Sequence, residues 1–394
     1  MSTERAPVPT AQHTEFAETV AGGPLTSEGR GAAHRYRSVV LGCTGLLVFA
    51  LGMLVSYSTA FTKPHPHDLP LAVTGSPAAI VQLEQEDALD ITVVQDAAAA
   101  RDQVLHRDVD GALVLPSQAG EGVTTYTASG GGKSLAATVS GIGDAVAQQM
   151  GTTSTVTDLA PLHQDDPGGT LEFYAVIFVG IGASLAASVL GRILGTVDTP
   201  TAFVERSVVL VAYTGALAGL ATAWVDGVMG GLTHDWAATS GALWLYALAI
   251  GGAITGVAAV GGTLAALAVT LVTTMIGNPS SGGPYGIHLL PGFFQSMYWF
   301  FPQGDGLEVL RSIEYFDGDG AAGPLVRLGT WAVAGLLLVM LAMLLRTRRA
   351  AAQHQPAQGA PTSLGQLSVH RDAPPQRAIT TSGAPDAPDG SLAR

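Results

Sequence analysis

Five long apolar runs, separated by polar stretches, set the pattern of the chain. The first, residues 38–61, carries no charge and follows His34, Arg35 and Arg37. About 20 apolar residues rising 1.5 Å each cross the ~30 Å hydrocarbon core of a bilayer, so this run predicts a first membrane span. Residues 1–33 before it are polar and lack an early apolar core. The run therefore reads as an uncleaved anchor preceded by a disordered cytoplasmic tail. Further runs at 172–190, 207–228 and 325–345 each predict one more span.

The run 239–276 is too long for one crossing. As a single helix it would extend about 57 Å, so two spans joined by a tight turn near Gly261 and Gly262 are expected. The count is then six, and an even count returns the C-terminus to the side of the N-terminus. Lys and Arg collect near cytoplasmic span ends. Seven arginines (Arg35, Arg37, Arg192, Arg206, Arg346, Arg348 and Arg349) fall on one predicted side, against Lys63, Arg311 and Arg327 on the other. Both termini are thus expected in the cytoplasm, with residues 350–394 as a second disordered tail.

Residues 62–170 differ in kind. They hold fourteen Asp or Glu and four Lys or Arg. Short β-type runs at 69–74, 91–94, 111–115 and 123–128 alternate with helical patterns at 77–83, 97–105 and 134–150. This alternation predicts a small extracytoplasmic α/β domain. Residues 171–349 form the five-span membrane domain. Within it, 277–324 is an outer segment with seven aromatics between Tyr285 and Phe301. Its first half reads as an interfacial or re-entrant element, with Tyr298 and Trp299 as anchors. Its second half has helical spacing, with Arg311 and Glu314 placed to pair.

Composition narrows the function. Only 12% of residues are charged and the net charge is −13, which argues against nucleic acid as a partner because phosphate binding needs a basic surface. Cys43 is the only cysteine, so neither an intrachain disulfide nor a cysteine metal site can form. The run Gly130-Gly131-Gly132-Lys133-Ser134 invites a phosphate-loop reading, but Thr127 stands where the motif needs glycine, and a glycine turn opening a helix is the simpler account. His65-Pro66-His67 is a weak metal pattern in an extended linker. The pairs Gly215/Gly219 and Gly252/Gly256 permit close helix packing. No nucleophile elbow or paired-histidine zinc helix is present, and the spans hold no convincing intramembrane carboxylate of the kind coupled carriers use. Neither an enzyme nor a bound cofactor or metal is expected.

Two stretches carry a family resemblance. One is Pro161-Leu162-His163-Gln164-Asp165-Asp166-Pro167-Gly168-Gly169 before the second span. The other runs from Asn278-Pro279-Ser280-Ser281-Gly282-Gly283 through Leu290-Pro291-Gly292-Phe293-Phe294 and Phe301-Pro302-Gln303-Gly304 to Leu310-Arg311-Ser312 and Tyr315-Phe316. With the six-span layout, these resemble the type-2 ABC exporter permeases, in the branch with a large outer domain between spans one and two that includes the phage-infection-protein-like membrane proteins. The Ala- and Gly-rich composition looks actinobacterial. The resemblance implies an α-helical polytopic protein of the bacterial plasma membrane. It would act as an export permease for an amphipathic or lipid-like compound, with a separate ATPase subunit, as a homodimer or as a heterodimer with a similar permease. It also implies that the loop between spans two and three meets the ATPase, making Arg192, Asp198, Glu205 and Arg206 contact candidates. Pro291, Phe293, Phe294, Tyr298, Trp299, Pro302 and Arg311 mark the outer interfacial segment. The rival expectation is a non-transporting membrane protein whose outer domain binds a ligand, wall component or protein partner.

Overall fold

The computed structural model describes residues 27–353 except 119, 196 and 198; the rest of both expected tails, and Asp198, lie outside the described residues. The order of elements is α1 (Ser27–Phe61), β1 (Leu69–Thr74), α2 (Pro77–Leu83), β2 (Leu89–Val93), α3 (Ala97–Leu105), β3 (Gly111–Val114), β4 (Val123–Thr127), α4 (Lys133–Met150), β5 (Ser154–Asp158), α5 (Leu171–Ile193), α6 (Pro200–Val225), α7 (Trp236–Val272), α8 (Asn278–Ser280), α9 (Gly292–Tyr298), α10 (Pro302–Tyr315) and α11 (Ala322–Gln353). A π-helical turn, Thr273–Gly277, joins α7 to α8.

Among the described residues, five helices are long and apolar enough to cross a membrane, the fourth spanning Trp236–Ser280. The chain is thus a helical protein with the character of a multi-pass membrane protein. The expectation of two separate helices over 239–276 meets a single assigned helix, but one that is broken inside: Gly262 has φ 77° and ψ −175°, a conformation that glycine adopts without a Cβ clash. Ile250, Ala253 and Ile254 share one small cavity with Val269 and Thr273. On a straight helix Ile250 and Thr273 would stand about 35 Å apart, so the chain doubles back at Gly262.

Helix α5 lies at the centre of the bundle, burying Phe173, Val176, Val179, Ala183 and Ala187 against α6 and the first leg of α7. Small residues set the close approaches. A Cβ on Gly180 would collide with the Tyr246 hydroxyl, and one on Gly256 would sit 2.6 Å from the Gly335 carbonyl. The Gly252/Gly256 pair therefore packs on Gly335 of α11. The Gly215/Gly219 pair is only half used: Gly215 faces Trp244, and Gly219 meets nothing within 4 Å. Helix α1 stands aside: residues 35–48 are exposed, and its last turns are packed. There Phe61 stacks on Tyr285 at 5.2 Å, and Ala60 is buried with Leu290 and Phe294. The helix also begins at Ser27, inside the stretch expected as a tail.

The sheet has the order β2-β1-β3-β4-β5, parallel except for the β3–β4 hairpin pair. Side chains alternate between its faces, as the strand period dictates. Leu69, Leu71 and Val73 of β1 face α2 and α4, with Ile80, Leu83, Leu135, Val139 and Val146. Ala72 and Ala112 face the other way, toward Ala100 and Val104 of α3 and toward Phe316, which follows α10. Edge strand β5 has no counterpart in the sequence reading, because Ser-Thr-Val-Thr-Asp shows no apolar alternation and four of its five residues are exposed. Asp96 caps α3 by accepting from Ala99 N–H at 2.9 Å, and Asp235 caps α7 through Ala238 N–H at 2.9 Å.

Backbones at Gly252 and Gly335 touch, so any side chain at 335 must push α11 away. Gly335→Leu is expected to cost about 1–3 kcal/mol, read as a lower unfolding temperature in detergent. Gly219→Leu, on the open face of α6, is expected to leave that temperature unchanged.

Candidate functional site

Helix α10 is short and amphipathic, yet almost every residue of it is buried. It starts at Pro302, whose fixed φ suits a first helical turn. It lies between the sheet and the ends of α5 and α7. Leu307 and Leu310 enter the helical core, and Gln303, Asp305, Arg311, Ser312 and Glu314 are buried with them, while Glu308 is half-buried. Buried charges require partners, and these come from remote parts of the chain.

Arg107, just after α3, donates from Nη2 to the Glu308 carboxylate. Its Nη1 donates to the Glu308 carbonyl at 3.1 Å and to Ser312 Oγ at 2.7 Å. Its guanidinium also lies 4.8 Å from the centre of the Phe316 ring. Arg311 is 2% exposed; it lies 3.7 Å from Glu308 and donates to the Gly283 carbonyl at 2.6 Å. Burial alone would raise the Glu308 pKa, but Arg107 and Arg311 hold it below the ordinary value. Asp305 pairs with Arg327 at 2.6 Å. Burial pushes Asp305 up to about 6, against the pull of the guanidinium.

A second cluster lies further along α10. Glu314 accepts from Thr233 N–H at 3.0 Å and His234 N–H at 3.1 Å, and pairs with His163 at 2.8 Å. The Tyr315 hydroxyl donates to Glu172 at 2.8 Å. The expected Arg311–Glu314 pair is not formed, because on α10 the two side chains serve different neighbours. His288 pairs with Asp110 at the start of β3. Burial lowers the His288 pKa, but the hydrogen bond and charge of Asp110 outweigh it, and the net shift is upward.

Arg107, Asp110, His288, Glu308, Arg327, Tyr298 and Trp299 line a cleft of about 340 Å³ between the sheet and the aromatic segment. Trp299 is exposed and carries Arg327 over its ring at 4.9 Å, whereas Tyr298 is buried against Gly304. Only Trp299 of the expected anchor pair is therefore free to meet an interface. Phe293 is exposed, Phe294 and Pro302 are buried, and Pro291 precedes the first turn of α9.

The remaining sequence candidates are dispersed. Gly130 faces Tyr315 where a Cβ would clash, and Lys133 donates to the Pro167 carbonyl at 2.8 Å. The glycine run thus serves close packing. The His65 and His67 amides bond to the carbonyls of Leu289 and His288, making the linker a backbone bridge. At the far end of α5, Arg192 and Glu205 are exposed, while Arg206 is buried and donates to the carbonyls of Ala187 and Gly195, both at 3.2 Å. The sequence reading missed Arg107, Asp110, Glu172, His288 and Glu308. The one signal for Glu308 was its place with Arg311 and Tyr315 on one helical stripe.

Glu308→Gln leaves two guanidiniums without their carboxylate. It is expected to cost about 1.5–3 kcal/mol by thermal unfolding, while Asp144→Asn on the exposed face of α4 is neutral. The His288 contribution has a definite sign: its folded pKa lies above 6.5. Its stabilisation is therefore complete below that value and lost as pH rises through the folded pKa. The gap in unfolding temperature between wild type and His288→Gln is expected to shrink as pH rises above about 6.5.

No family model matches the chain, and neither a curated protein nor a solved structure matches it.

Proposed function

We propose that the chain is the membrane permease subunit of an ABC-type export system, moving an amphipathic or lipid-like compound with a separately encoded ATPase. In this reading the reversal at Gly262 makes six crossings, the sheet module is extracytoplasmic, and both termini face the cytoplasm of a bacterial cell. Two permease chains pair to complete the pathway.

The observation that carries it is the opposite character of the two ends of the bundle. At one end, α10 fastens the sheet module through buried ion pairs. At the other, about 33 Å away along α5, Arg346 donates to Val197 at 3.1 Å and to Ala259 at 2.8 Å. One guanidinium thus gathers the end of α11, the loop before α6 and the tip of the Gly262 hairpin. A force applied at that end by an ATPase would reach the sheet module through rigid helices. The cleft beside Trp299 favours the second reading, a non-transporting protein that binds a ligand through its outer module.

Topology is read by labelling single cysteines in a Cys43→Ser background with a membrane-impermeant reagent. Asp87→Cys and Phe300→Cys are expected to react in intact cells, and Glu205→Cys only after permeabilisation. Reaction of the last from outside rejects the orientation. Purification of the tagged chain is expected to recover an ATPase whose turnover depends on it and falls with Glu205→Lys. Strains lacking either protein should share one export defect. Different phenotypes, with no ATPase recovered, would favour the binding reading.

A further inference from the structure

Helices α2 and α4 cover the same face of the sheet but leave a groove of about 560 Å³ between them. Its floor is apolar: Leu83 and Val146 are buried, Leu89 and Ile142 half-buried. It has no part in the ionic cluster of α10. Its size falls within the range that accommodates small ligands, roughly 300–1,000 Å³. At one end stands Pro66, five residues after Phe61, the last residue of α1. Five residues reach at most about 18 Å, so this end lies close to where the first apolar helix stops.

Charge decides what fits. Among the described residues, the only ionisable side chain lining the groove is Glu86, on a turn that also carries the exposed Glu84 and Asp87. Glu86 is exposed, and the amides of Gln82 and Gln149 are the other polar side chains lining the groove. An apolar trough with a one-sided acidic rim, beside the end of a membrane helix, matches a molecule with an apolar tail and a positive head. A soluble anion would meet repulsion at the rim, and a compact polar solute would leave the floor unsatisfied. We propose that this groove binds a single-chain cationic amphiphile, its tail along Leu83, Leu89, Ile142 and Val146 and its head at Glu86. The inference goes beyond the export reading and is tested on the purified chain without any ATPase.

The test uses dodecylamine with a diazirine at the end of its chain, and matching alcohol- and sulfate-headed probes, added to the full chain in phosphatidylcholine vesicles. After irradiation, adducts are mapped by mass spectrometry. The amine probe is expected to label 79–89 and 142–150 more than the alcohol, and the alcohol more than the sulfate. Glu86→Gln should lower amine labelling about two- to fivefold and leave alcohol labelling unchanged. Ala145→Trp fills the groove from an exposed position and should remove labelling of both segments at an unchanged unfolding temperature. Adducts confined to the membrane helices, equal labelling by all three heads, or labelling that survives Ala145→Trp would each overturn the proposal.

Discussion

The structure depends on one largely buried ionic contact, the Glu308 carboxylate between a half-buried Arg107 and a buried Arg311. Arg107 belongs to the sheet module, and Arg311 reaches the carbonyl of Gly283 beside the end of α1. Burying three charges is costly unless each finds its partner. Brought together, they tie α10 to the segment after α3 through Arg107 and to the Gly283 turn through Arg311. The apolar contacts around them, Leu307 and Leu310 on one side and Phe316 on the other, add area but little direction.

This arrangement explains why the sheet is not a loosely tethered module. Its β1–β3 core could fold around its own leucines and valines. Its second face is nevertheless completed by Phe316, and the turn at Gly130 is completed by Tyr315. The linker after α1 is held by backbone hydrogen bonds to Leu289 and His288. Together with His288–Asp110 and His163–Glu314, these contacts couple the sheet to helices that reach the far end of the bundle.

The two ends of the bundle solve the same problem differently. The α10 end neutralises buried charge with opposite charge. The other end uses Arg206 and Arg346 to bond backbone carbonyls, those of Ala187 near the end of α5, of Gly195 and Val197 in the loop before α6, and of Ala259 beside the break at Gly262. An arginine counted from sequence as an available cytoplasmic charge can therefore be consumed internally. Arg206 is such a case, whereas Arg192 and Glu205 remain at the surface.

By itself, the sequence determined what local chemistry controls. Apolar run length marked the membrane-type helices, the period-two and helical patterns marked β1 to β4 and α2 to α4, and the glycine pair at 261 and 262 marked the reversal. The polar edge strand β5 left no such signal, because its pairing with β4 is supplied by backbone rather than by side-chain pattern. Tertiary structure alone decided the ionic site. Arg107 and Glu308 are 201 residues apart, and His288 and Asp110 are 178 apart. No periodicity links positions so distant; only the fold that buries α10 forces those charges to meet.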